Sequence, residues 1–107
     1  MGKKPLEIKP FIKRFISRLK KAFRIEKIIL FGSRARGDYL VHSDYDLLIV
    51  SPDFEGRFFT QRSVDVTLKT DPDFNFEFLC YTPEEFEKKR KQVGIVRNAV
   101  KEGIALV

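Results

Sequence analysis

The chain has 107 residues, of which 43% are hydrophobic and 34% charged, with a net charge of +6. That size fits one compact domain, and the balance is that of a globular protein. No apolar run approaches the ~20 residues of a membrane helix, no apolar stretch follows the N-terminal lysines as in a secretory signal, and the single cysteine, Cys80, excludes an internal disulfide and suits a reducing, cytoplasmic setting.

The positive charge is unevenly placed. Residues 1–27 hold ten Lys or Arg against Glu7 and Glu26, while the rest of the chain holds eleven basic and thirteen acidic groups. Such a segment can meet nucleic acid, nucleotide phosphates or an acidic protein, or simply be a solvated helix face. Phe11, Ile12, Phe15, Ile16, Leu19, Ala22 and Phe23 recur at helical spacing, with Lys and Arg opposite, and Pro10 stands at a tolerated start. This basic N-terminal helix (residues 1–24) is expected to join a core (25–107) in a single domain.

Lys27–Phe31 reads as a short buried strand. A tight turn and short helix, Gly32 to Asp38, should follow, and then a second strand, Tyr45–Val50, stopped by Ser51-Pro52-Asp53. Arg57–Lys69 reads as a helix or, by alternation over Ser63–Leu68, as a strand. The helix is preferred because it supplies the crossover that a parallel strand pair needs. Asp71-Pro72-Asp73 is a turn. Phe74–Tyr81 is a third strand, with Phe74, Phe76 and Phe78 on one face and Asn75, Glu77 and Leu79 on the other. Thr82-Pro83-Glu84-Glu85 is a capping box that opens a helix running through Lys91. Residues 93–107 are expected to form a last helix with Gly103 as its stop. The fold class is α/β (α+β), a small mixed sheet flanked by helices.

Two short stretches carry the chemistry. Asp44 and Asp46 are two apart at the start of a strand, so both side chains leave one face, their backbones roughly 6–7 Å apart. Two such acids repel unless a hard cation such as Mg²⁺ joins them through oxygen. Gly32 ends the preceding strand and lets backbone N–H groups approach a ligand, Ser33 adds a hydroxyl, and Arg34 and Arg36 add charge, a setting suited to phosphate. Each half alone is weak: a D-x-D is commonly two solvated acids, and a Gly-Ser an ordinary capped turn. Together they make the layout needed to hold a triphosphate and its magnesium in one place.

The string GSRARG after Phe31, followed by SDYDL and later by YTPEEFEKK, resembles the minimal nucleotidyltransferases of the polymerase-beta-like superfamily over roughly residues 25–105. The resemblance implies a nucleotidyltransferase fold, ATP or another triphosphate as donor, phosphate binding by Gly32 and Ser33 with Arg36 nearby, and Mg²⁺ on Asp44 and Asp46. It also implies a third carboxylate that serves as catalytic base and metal ligand. Glu77 is preferred for that role and Asp65 is the alternative. The family more often has Asp there, and Glu has a longer arm. Members of this group are also paired with a small helical HEPN protein as toxin–antitoxin modules, so the resemblance implies such a partner and a protein acceptor for AMP. The competing reading is a non-catalytic module that sequesters a protein or nucleic-acid partner through the basic helix. Nucleic acid is not favoured, because Phe11, Phe15 and Phe23 belong to the buried stripe rather than to a stacking surface. An exposed strand edge leaves homo-oligomers open. His42, Arg97 and Lys101 read as exposed polar residues, and Cys80 as a buried thiol.

Overall fold

A computed structural model describes residues 10–32, 35, 44–72 and 75–107. Ser33, Arg34, Arg36, His42 and Phe74 lie outside the described residues, as does most of the turn expected between the first two strands. The elements are α1 (Pro10–Ala22), β1 (Lys27–Phe31), β2 (Tyr45–Val50), a 3-10 turn (Pro52–Phe54), α2 (Phe59–Thr70), β3 (Phe76–Tyr81), α3 (Pro83–Lys89), α4 (Ile95–Glu102) and β4 (Ile104–Ala105). Together they make a mixed α/β fold whose four strands run in the order β3-β2-β1-β4.

The strand directions follow from the connections. β1 and β2 are antiparallel, with Phe31 opposite Asp46 and Lys27 opposite Val50. β2 and β3 are parallel, with Asp46 opposite Glu77, and α2 is the crossover between them. The ambiguous stretch 57–69 is therefore helical from Phe59 onward. It closes at Asp71, a left-handed residue (φ 46°, ψ 65°) whose N–H bonds back to the Thr67 carbonyl. Arg18 of α1 adds a second stop by donating to the carbonyls of Thr70 and Asp71, at 3.3 and 3.0 Å. One of the basic side chains of α1 is thus committed to holding two helices together.

Alternation divides the sheet's side chains between two apolar clusters. One face carries Ile28, Leu30, Tyr45, Leu47, Ile49 and Cys80 against Ile12, Phe15 and Leu19 of α1, Phe54, and Val66 of α2. Phe15 stacks on Phe76 and Phe78, with centroids 4.7 and 5.4 Å away. The helical stripe read from the sequence is thus part of the main core. The other face carries Ile29, Leu48, Val50 and Tyr81 against Phe86 of α3 and Val96 and Ala99 of α4.

Several boundaries differ from expectation: α2 begins at Phe59 rather than Arg57, Asn75 lies outside β3, and α4 begins at Ile95 rather than at residue 93. α3 ends at Lys89 rather than Lys91. The last helix stops at Glu102, and residues 104–105 leave it to pair with Ile29 and Leu30 of β1. Gly103 makes that departure possible: a Cβ there would collide with the Ala99 carbonyl, the Ile29 side chain and the Leu30 carbonyl. The capping box of α3 forms as read, with Glu85 N–H donating to Thr82 Oγ1 (3.2 Å) and Thr82 N–H to Glu85 Oε1 (2.9 Å).

Candidate active site

β1 ends where β2 and β3 begin, because β1 runs against both. The glycine turn after β1 and the acids at the start of β2 therefore meet at one end of the sheet although eleven residues separate Gly32 from Asp44. A single row of the sheet reads Phe31, Asp46, Glu77 across three strands. All three belong to the face that carries the α3–α4 cluster, since Phe31 and Leu79 pack against that cluster and side chains alternate along each strand. Neighbouring strands lie about 4.8 Å apart, so Asp46 and Glu77 stand side by side. Asp46 is half-buried, whereas Asp44, one residue before β2, and Glu77 are exposed.

Gly32 is in the left-handed region (φ +77°), and a Cβ there would run into the Asp46 carboxylate. Glycine is required twice, for the backbone angle and for the space beside the acid. Its carbonyl accepts a bond of 3.1 Å from Ala35 N–H.

Three depressions adjoin this row. One of about 560 Å³ is lined by Phe31, Asp46, Glu77, Leu79 and Ile95 and reaches Ser63 and Thr67 of α2. A second, about 300 Å³, lies between Gly32, Asp46 and Asn98. A third, about 580 Å³, joins Asp44 and Glu77 beside Asn75 and Thr67. Asp46 is shared by the first two and Glu77 by the first and third. Among the described residues no three acidic, histidine or cysteine side chains converge on one point in the manner of a finished metal cage. The acids offer only oxygen donors, the chemistry of a site for a hard divalent cation.

Asp65, the alternative third acid, stands on α2 rather than on a strand. Its carboxylate takes a bidentate pair from Arg57 (2.8 and 3.0 Å). The Glu77 carboxylate has neither a hydrogen bond nor an ion pair among the described residues, and Glu77 pairs with Asp46 across the sheet. Arg97 and Lys101 are exposed and line none of the three depressions, whereas Ile95, Asn98 and Glu102 on the same helix do. Nothing in the sequence marks those α4 residues, because their approach to Asp46 depends on how the helix packs against β1. Cys80 is buried, and desolvation pushes its thiol up to about 12, which leaves it protonated and inert.

Relatives of known name share this architecture. The chain is 38% identical over 97 residues, covering 89% of itself and 93% of the relative, to a Methanocaldococcus jannaschii protein named "putative protein adenylyltransferase". A Sulfolobus solfataricus crystal structure described as a "putative nucleotidyltransferase" superposes with a TM-score of 0.55 at 25% identity, over 95% of this chain and 90% of that one. A second structure so described matches with a TM-score of 0.51 at 33% identity, over 75% of this chain and 87% of its own. The family model for the nucleotidyltransferase domain matches residues 12–106, taking in α1 as well as the sheet, and the chain belongs to that family of enzymes.

Proposed function

We propose that the chain transfers AMP from ATP to a hydroxyl of a partner protein, with Mg²⁺ bound by Asp44, Asp46 and Glu77. The observation that carries this reading is the pairing of Asp46 with Glu77 at one end of the sheet, with Gly32 against the Asp46 carboxylate. Gly32 leaves room for phosphate oxygens beside the acid, and Ser33 and Arg36, next in sequence, are assigned to the rest of the triphosphate. Magnesium would supply charge neutralisation for the triphosphate.

The acceptor oxygen forms a bond to the α-phosphorus. The bond from that phosphorus to the β-bridging oxygen breaks, and pyrophosphate leaves with the electron pair. The acceptor's proton passes to the Glu77 carboxylate, which is exposed on the groove and can reach an incoming hydroxyl. Glu in place of the shorter Asp places this base further from its own strand.

A protein acceptor is favoured because the name borne by the M. jannaschii relative is that of a protein adenylyltransferase. A small helical HEPN protein, with this chain as its antitoxin, is the partner we assign, and the cytoplasm is the compartment that supplies ATP and magnesium. The described residues include no helix long and apolar enough to cross a membrane.

Isothermal titration with ATP and Mg²⁺, beside an Asp44→Ala, Asp46→Ala double variant, tests the site. Magnesium-dependent binding that the variant loses is the expected result. Equal binding by both proteins would refute the acid pair as the metal site.

A further inference from the structure

β3 is an outer strand, and its outer side has no strand partner among the described residues. Two hydrogen bonds fix which of its backbone groups face outward: Tyr45 N–H donates to the Asn75 carbonyl (3.1 Å) and Ser51 N–H to the Tyr81 carbonyl (3.0 Å). Alternation then turns residues 75, 77, 79 and 81 toward β2, and turns the N–H and C=O of Phe76 and Phe78 away from the sheet. The Cys80 carbonyl is also on that side, where Arg62 donates to it at 3.1 Å. Arg62 thereby closes the upper end of the edge, and among the described residues the outward groups of Phe76 and Phe78 are left open. Outer strands are ordinarily blunted by Lys, Pro, a bulge or a covering helix. The sequence of β3, FEFLCY, has no Lys or Pro and its one charge is Glu77, while α2 reaches the edge through Arg62 at Cys80.

The open stretch borders the groove of about 560 Å³ that contains Asp46 and Glu77, and Ser63 and Thr67 of α2 form the opposite wall. We propose that the edge of β3 at Phe76 and Phe78 is the docking site of the acceptor polypeptide, an extended segment that adds as a fifth strand. This rests on the reading that the acceptor is a protein. An added strand would lie about 4.8 Å beyond β3, and its alternate side chains would emerge on the face of Asp46 and Glu77. A Ser, Thr or Tyr at the matching position becomes the fourth member of the row Phe31, Asp46, Glu77. Its hydroxyl stands beside the carboxylate assigned to take its proton. Main-chain bonds hold the segment, and the row selects which residue is modified.

The test uses the intact protein with ATP and Mg²⁺ and the peptide acetyl-Val-Thr-Tyr-Thr-Val-amide. Amide exchange is followed by NMR, with transfer measured as pyrophosphate release. The peptide should slow exchange at Phe76 and Phe78 and accept AMP, whereas its alternately N-methylated form should do neither. An amide-to-ester replacement at Phe78 keeps the ring on Phe15 and removes the outward N–H, at the cost of a weaker Glu77 carbonyl on the side that faces β2. It should raise the peptide KM about three- to tenfold, the loss of one hydrogen bond, and leave kcat and ATP binding unchanged. Transfer to the peptide with both amides still exchanging freely would overturn the docking site while sparing the transferase reading. Failure of the peptide to slow either amide overturns it too, as does protection that needs no peptide and grows with protein concentration, which would give the edge to a second copy of the chain. Slowed amides without magnesium-dependent ATP binding would instead refute the transferase reading and leave the edge a peptide site.

Discussion

The two faces of the sheet are made by the same strands and have different characters. The face under α1 and α2 is apolar from end to end, from Tyr45 and Phe76 to Ile49 and Cys80, and stacked phenylalanine rings fill it. The face under α3 and α4 is apolar only at one end, where Leu48, Val50, Tyr81, Phe86 and Val96 meet. At the other end it carries Asp46 and Glu77. A small domain has little stability in reserve. Concentrating aromatic packing on one face is what allows the opposite face to hold neighbouring acids.

That contrast breaks most visibly in Phe15. It is 1% exposed and packs on Phe76 and Phe78, so Phe15→Ala should cost about 3–5 kcal/mol in urea unfolding. The mirror experiment is Asp46→Asn. It should lower the rate of nucleotidyl transfer roughly a thousandfold, about 4 kcal/mol in the barrier, while the urea midpoint stays put or rises. A variant that lost both stability and activity would show that the acid end is structural. Gly32→Ala sits between the two, combining an unfavourable backbone angle with a methyl group against Asp46. Its expected cost is about 1–3 kcal/mol of stability, accompanied by weaker ATP binding in the same titration.

A smaller effect separates charges that brace the fold from those left for chemistry. Arg62 is 5% exposed and donates to both Glu85 oxygens, at 2.6 and 3.2 Å. Hydrogen bonding from Arg62 holds the Glu85 carboxyl below its ordinary value of 4.5. Because the folded value is depressed, the stabilisation is complete above pH 4.5 and is lost as pH falls through the folded value. Unfolding midpoints measured from neutral to acid pH should therefore drop in that window. Glu85→Gln, which retains the capping geometry, should flatten the drop. The smallest effect belongs to Asp53, whose carboxyl is lowered chiefly by the backbone N–H of Arg24. Its partner's side chain is 79% exposed, so Asp53→Asn should shift the midpoint only slightly, and less still in high salt.

Much of this was legible in the residues. The stripe from Phe11 to Phe23, the alternation over 76–79 and the Thr82–Glu85 box each state their own local structure. Gly32 and the Asp44–Asp46 pair pointed to phosphate and metal chemistry by residue type and spacing, and the structure sets Gly32 against the Asp46 carboxylate. What could not be read is whatever depends on partners far along the chain. Ile104 and Ala105 look like a helix tail until β1 offers them an edge. Asp65 and Glu77 have similar local sequence claims, and only the helical state of 59–70 separates an acid tied to Arg57 from one that faces Asp46. Asn98 reaches the acid end solely through the docking of α4.

The pairing of β4 with β1 bears on how fast the molecule forms. Two residues cannot nucleate a strand, and their partners, Ile29 and Leu30, come from the opposite half of the sequence. Closing so long a loop lowers the folding rate more than it lowers the final stability. Residues 104–105 should thus be the last to gain protection in a refolding time course. Until they dock, the outward side of β1 is a second open edge, and the newly made chain is at its most prone to aggregate in that interval.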